Sequence, residues 1–126
     1  MKKITLILFF VFSLSIVSHS YAQLGKLVPK PDLVNTLNDV GDLGFDDNKS
    51  KSLKKQNDKF VDDLFSIVDG DKSDDDKKSA LRMLKKDNEK SLTNILGVDG
   101  FKSYKKKMKK TIRPYKRKMK LLKLAI

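Results

Sequence analysis

GFKSYKKKMKKTIRPYKRKMKLLKLAI, residues 100–126, decides how this chain is read, because it holds 12 Lys and Arg and not one Asp or Glu. Along it Phe101, Tyr104, Met108, Ile112, Tyr115, Met119, Leu122 and Ile126 recur every three or four positions, the spacing that aligns side chains on one face of an α-helix. The stretch therefore reads as a basic amphipathic helix. Pro114 lacks an amide hydrogen and crowds the carbonyl of Lys110, which predicts that this helix kinks or breaks near Pro114. An isolated helix so rich in Lys is marginal in water. Its apolar stripe must cover something, and there are three choices: the rest of the chain, a second copy, or an external partner.

Toward the amino terminus, Ser73 followed by Asp76 resembles a capping box with Asp in place of Glu, and Asp74, Asp75 and Asp76 suit the positive end of a helix. Leu81, Leu84, Leu92, Ile95 and Leu96 mark the apolar face of that helix, and Gly97 marks its stop. Asp99 then offers a cap to the basic segment. Farther back, Asp46 caps a helix from about Asp47 to Val68, whose stripe is Leu53, Phe60, Val61, Leu64, Phe65 and Val68. Asp69-Gly70-Asp71-Lys72 between them is turn chemistry, so the two helices should pack as an antiparallel hairpin. Leu33, Val34, Leu37 and Val40 make a short first helix from Asp32, ended by Gly41, behind an exposed lead-in containing Gly25, Pro29 and Pro31. The expected fold class is all-α, a small antiparallel helical hairpin plus a long basic C-terminal helix. Residues 23–45 form its lead-in and short first helix, and residues 46–126 its helical domain.

Residues 1–22 stand apart. Lys2 and Lys3 precede an apolar run from Ile4 to Val17, and Ser20-Tyr21-Ala22 ends on a small residue, the pattern of a cleaved secretory signal. Polar Ser18, His19 and Ser20 arrive too early for a span of about 20 apolar residues. A periplasmic or secreted protein is expected. The chain has no Cys and a single His, which lies in this leader, so disulfides, thiolate nucleophiles, Cys–zinc sites and imidazole chemistry are excluded from the mature part.

Charge divides the mature sequence more sharply than helix boundaries do. Residues 23–99 carry 14 basic and 16 acidic side chains, so the whole positive excess sits after Asp99. Asp69, Asp71, Ser73 and Asp75 alternate as in a calcium loop, but the position that needs Gly is Asp74 and the one that needs Glu is Ala80. The pairs Asp46-Asp47 and Asp62-Asp63 are neighbours in a helix and point apart, which does not suit acid–base catalysis. No phosphate-cradling glycine loop or HExxH pattern occurs. The chain reads as a non-enzyme, with no cofactor and no metal. Its candidate binding residues are Phe101, Tyr104, Lys105, Met108, Lys109, Ile112, Arg113, Tyr115, Lys116 and Met119. In that reading Lys and Arg draw in acidic, partly unfolded envelope proteins and the apolar side chains hold them adaptably. The alternative is docking of the basic helix on an anionic membrane or polysaccharide surface. Nucleic acid is disfavoured because the leader carries the chain away from it.

The run Lys85-Lys86-Asp87-Asn88-Glu89-Lys90-Ser91-Leu92-Thr93-Asn94-Ile95-Leu96-Gly97-Val98-Asp99-Gly100-Phe101-Lys102-Ser103-Tyr104-Lys105, behind a leader and a Lys/Asp-rich hairpin, resembles the Spy/CpxP-like periplasmic family. At the two positions of that family's LTxxQ motif the chain has Phe45-Asp46-Asp47-Asn48-Lys49 and Leu96-Gly97-Val98-Asp99-Gly100, of which only Leu96 matches. The resemblance implies an all-α homodimeric cradle that binds unfolded envelope proteins and in some members damps a stress sensor.

Overall fold

The computed structural model describes residues 24–126, and the leader read at residues 1–22 lies outside them. The described chain is helical with no strand: α1 Leu24–Leu27, α2 Lys30–Asn38, a 3-10 turn Gly41–Leu43, α3 Asp47–Asp69, α4 Asp74–Thr111, α5 Arg113–Lys118 and α6 Leu122–Ala125. The all-α class expected from the hydrophobic period is the observed one.

Local chemistry sets the starts. Asp46 accepts the amide of Lys49 at 2.8 Å and Ser73 accepts that of Asp76 at 3.2 Å, so these two of the three expected caps satisfy a donor that the first helical turn leaves open. Helix α2 begins earlier than its stripe alone implied, because Pro31 fits the first turn, where its missing N–H is no loss. The segment expected to be an exposed lead-in is also tied to the core. Val28 is fully buried beside Leu33, Leu37 and Val40, since an apolar side chain one residue ahead of the Pro29 N-cap is carried inward by the helix that follows. At the far end of α3, Lys77 from α4 reaches back and donates to the Val68 carbonyl at 2.9 Å, a cation at the negative end of a helix.

Helix α4 is not one straight rod. Gly97 has φ 75° and ψ 169°, a conformation essentially restricted to glycine, with open space around it. The chain doubles back there. Lys105 Nζ lies 2.7 Å from Glu89 Oε1, whereas sixteen residues of straight helix would separate the two by about 24 Å. Gly100 lets the two arms close up, since a Cβ on it would sit 3.2 Å from Leu96 Cβ and 3.3 Å from the Phe45 ring. The arms are Asp74 to Leu96 and Val98 to Thr111. The stop read at Gly97 is thus a reversal. Around Pro114 no kink is shown: α4 passes to α5 through Ile112, which keeps right-handed helical dihedrals, and Pro114 lies in the first turn of α5. The basic segment is helical as expected, but delivered in pieces, because Met119 adopts extended dihedrals and ends α5 before α6 begins.

One core joins these elements. It runs from Val28, Leu33 and Leu37 through Leu53, Phe60, Val61, Leu64 and Val68 to Leu81, Leu92 and Leu96, and on into Tyr104, Met108, Ile112, Met119, Leu122 and Ala125. The stripe of the basic segment covers the chain's own hairpin.

Candidate functional site

The ten residues singled out from the sequence separate by chemistry. Tyr104, Met108, Ile112 and Met119 are buried, and Phe101 and Tyr115 are half-buried against the same core. They are packing residues of this chain rather than an exposed docking face, because a stripe with period 3.6 and a hairpin that lacks enough apolar surface of its own cover each other. Lys105, Lys109 and Arg113 are exposed and Lys116 is half-buried. The charges, not the apolar side chains, face outward.

What fixes the basic segment in place is a buried polar node that sequence reading missed. Asn57 Nδ2 donates to the Leu37 carbonyl at 3.0 Å and to Asn38 Oδ1 at 2.9 Å. Tyr104 Oη donates to the same carbonyl at 3.0 Å and lies 3.3 Å from Asn57 Oδ1. Leu37 is in the last turn of α2, where carbonyls lack helical partners, so the side chains of α3 and α4 complete it. Burial pushes the Tyr104 hydroxyl well above the usual phenol range, with the Asn57 hydrogen bond opposing that shift. No buried side-chain nitrogen or oxygen among the described residues lacks a partner. The signal was available, since Asn57 stands four residues after Leu53 and three before Phe60, on the stripe of α3. Nearby, Thr36 Oγ1 and Tyr115 Oη lie 3.1 Å apart, tying α2 to α5 as well.

Two cations of the last 27 residues are bound to acids from the earlier part of the chain. Lys107 pairs with Asp42 and lies 3.6 Å from Asp39, and Lys105 pairs with Glu89 while standing 5.6 Å over the Phe101 ring. The hydrogen bond from Lys107 holds the Asp42 carboxyl below its usual range, and the same bond raises Lys107. The other ten Lys and Arg of residues 100–126 have no Asp or Glu carboxylate within ion-pair distance among the described residues, and one of them, Lys116, donates to the main-chain oxygen of Ile126 at 3.0 Å.

Those cations surround shallow surfaces rather than an enclosed site. Asp42, Ser103, Lys106, Lys107 and Lys110 line an open groove, and Asp32, Thr36, Asp39, Tyr115 and Lys118 line another. A tighter cleft of about 60 Å³ is lined mainly by apolar side chains, Leu37, Phe60, Leu92, Phe101, Met108 and Ile126 among them, with Lys85, Asn88, Glu89 and Lys105 also on its walls. None of the described helices is long and apolar enough to cross a membrane. Comparison with protein-family models, with curated proteins and with solved structures finds no match for this chain.

Proposed function

We propose that this is a non-enzymatic helical binding protein that works outside the cytoplasm and holds anionic surfaces through the outward cations of its C-terminal quarter. One observation carries the reading: the apolar stripe of that quarter is used inside the fold, while ten of its twelve cations have no Asp or Glu within ion-pair distance among the described residues. Cations that folding does not pair, concentrated in the last quarter of the sequence, set up a field that attracts polyanions and weakens with salt. Phospholipid headgroups and acidic polysaccharides of the envelope supply such surfaces. With its stripe covered, the protein adsorbs by charge and does not insert.

A second reading keeps acidic, partly unfolded polypeptides as the partner, as the resemblance to Spy/CpxP-like proteins implies. What favours it is that Met83 and Val98 on α4 stand 66% and 74% exposed, offering apolar contacts that Tyr104 and Met108 do not.

Sedimentation with phosphatidylglycerol vesicles and with phosphatidylcholine vesicles tests the first reading. The expected result is binding to the former alone, released by added salt. Equal binding to both, or none to either at low salt, overturns it. Suppression of aggregation of a chemically denatured acidic client at equimolar protein tests the second. Charge-neutral Gln substitutions are the right variants for both, because a chain cut at Asp99 would lose Tyr104, Met108, Ile112 and Leu122 from its core.

A further inference from the structure

The groove beside the 3-10 turn has two walls of unlike chemistry. One is the second arm of α4, where Ser103, Lys106, Lys107 and Lys110 follow the three- and four-residue steps that put side chains on one helical face, and Thr111 closes the end. The other is Asp42 and Leu43 of the turn itself. The space between them is about 400 Å³, a size that takes a small organic ligand rather than a single ion. The neighbouring groove shares Thr111 but sets Asp32 and Asp39 against Lys118, so an anion is favoured on the Lys106 side and not beyond Thr111.

What each lining group has left to offer defines the ligand. Lys106 and Lys110 are exposed and have no Asp or Glu within ion-pair distance among the described residues. They stand one helical turn apart, about 5–6 Å between Cβ atoms, and like charges at that spacing repel unless an anionic group sits between them. Lys107 is engaged by Asp42 and lies 3.6 Å from Asp39, so it adds little charge but fixes the Asp42 carboxylate on the wall. That carboxylate has lone pairs to accept a hydroxyl as well. Thr111 donates to the Lys107 carbonyl at 3.3 Å and keeps its oxygen as an acceptor, while Ser103 makes no side-chain hydrogen bond among the described residues. Leu43, half-buried against the core, supplies an apolar patch. A phosphate chain would use the two lysines but has no donor for Asp42. A neutral sugar has the donors but leaves the lysines unanswered. A sugar that carries a carboxylate satisfies both, with its C–H face suited to Leu43.

We infer that this groove is a binding site for an acidic sugar of the uronic acid type within a polysaccharide, its carboxylate held between Lys106 and Lys110 and its hydroxyls on Asp42 and Ser103. The inference rests on the anionic-surface reading and chooses, of the two surfaces that reading allows, the polysaccharide.

Calorimetric titration of the full chain with tetragalacturonate tests this, beside N-acetylated, C-amidated tetraglutamate, a polyanion of the same charge without sugar hydroxyls. The wild type should bind tetragalacturonate at one molecule per chain and about tenfold or more tighter than tetraglutamate. Two double variants of equal charge are compared, K106Q with K110Q and K102Q with K120Q; all four positions are exposed, and Lys102 and Lys120 line neither groove nor the small cleft. The first should lose about tenfold or more of the tetragalacturonate affinity and the second about threefold or less, the difference separating a local site from a long-range field. Ser103→Ala, at an exposed helical position where Ala is well tolerated, should weaken tetragalacturonate about threefold and leave tetraglutamate unchanged. It also serves as the test should the K106Q and K110Q variant melt lower than the wild type. Equal affinity for the two tetramers, equal losses in the two lysine variants, or a Ser103→Ala chain that binds tetragalacturonate as the wild type does, overturns the acidic-sugar site. If the chain still sediments with phosphatidylglycerol vesicles, the anionic-surface reading stands without it; if it binds neither tetramer nor those vesicles, both fall.

Discussion

The two arms of α4 contrast what one helical pattern can be used for. In the first arm charges of both signs are interspersed, five acids among six cations, with Lys78 3.9 Å from Asp75 and Lys77 closing the end of α3 on the Val68 carbonyl. In the second arm Asp99 stands against six cations, of which Lys105 and Lys107 pair with acids from elsewhere in the fold. Both arms bury an apolar stripe in the same core. The difference shows that amphipathic spacing settles where the greasy face goes but not what the charged face is for. Mixed charge nearly cancels within an element, whereas a surplus of one sign is free for something outside.

The sharpest way to break this comparison is to attack the stripe of the second arm. If Tyr104, Met108 and Ile112 formed a face held for partners, truncating one would leave stability alone. Ile112 is fully buried, so Ile112→Ala should cost about 2–4 kcal/mol in denaturant unfolding, the range for removing core methylenes. Met83→Ala on the outer face of the first arm should change it by less than about 0.5 kcal/mol. Should the two variants unfold alike, the second arm is not core.

The reversal that makes two arms from one run is the next point of attack. Gly97→Ala places a Cβ in open space, so any cost comes from backbone conformation alone, about 1–3 kcal/mol at a φ and ψ that only glycine occupies readily. A wild-type midpoint for this variant would mean that the arms do not fold back, and the Glu89–Lys105 pair would go with them.

Smaller again is the effect of Tyr104→Phe, which removes a donor to the Leu37 carbonyl and should cost about 1 kcal/mol near neutral pH. Its pH dependence is the more telling readout. The hydroxyl is held neutral by burial, so its folded pKa lies above the ordinary 10.0. The stability it contributes is therefore complete below about pH 10 and is lost as pH rises beyond that, when only the unfolded state ionises. The wild type should approach Tyr104→Phe in stability as the solution is made more alkaline, a convergence seen by comparing denaturant midpoints at pH about 8 and about 11.

These effects map onto what the sequence made legible. Caps at Asp46 and Ser73, the stripe of α3 and the unbroken stripe of residues 100–126 were all visible, because capping and period 3.6 are local and repeat in the chain itself. The identity of what the last stripe covers was not visible, since hairpin, second copy and partner present the same apolar surface to it. Gly97 was legible as a stop but not as a reversal, because a glycine after a helix announces a change of direction without its angle. Pro114 is the stronger helix breaker by chemistry, yet the chain turns at Gly97, because Pro near a helix start is accommodated.

The gentlest test concerns the charges that the second arm does share. Lys107 is the one cation of that arm with two carboxylates near it, Asp42 and Asp39, and its side chain is only 17% exposed while theirs are largely open. Two opposing arguments bear on it. Shelter should strengthen the pair with Asp42, yet the acids are solvated, and exposed ion pairs contribute little after screening and side-chain ordering are counted. Solvation of the acids should dominate, so Lys107→Gln is expected to move the thermal midpoint less than Ile112→Ala, Gly97→Ala or Tyr104→Phe does, with the small difference vanishing in high salt. Its effect on the Asp42 carboxyl should be easier to see. Lys107 holds that group below the usual range, so the NMR titration of Asp42 in Lys107→Gln should shift upward toward the ordinary 3.8. An unchanged Asp42 titration would show that the contact is not formed in solution. The second arm would then borrow only Glu89 from the rest of the fold, and the contrast between the arms would be larger still.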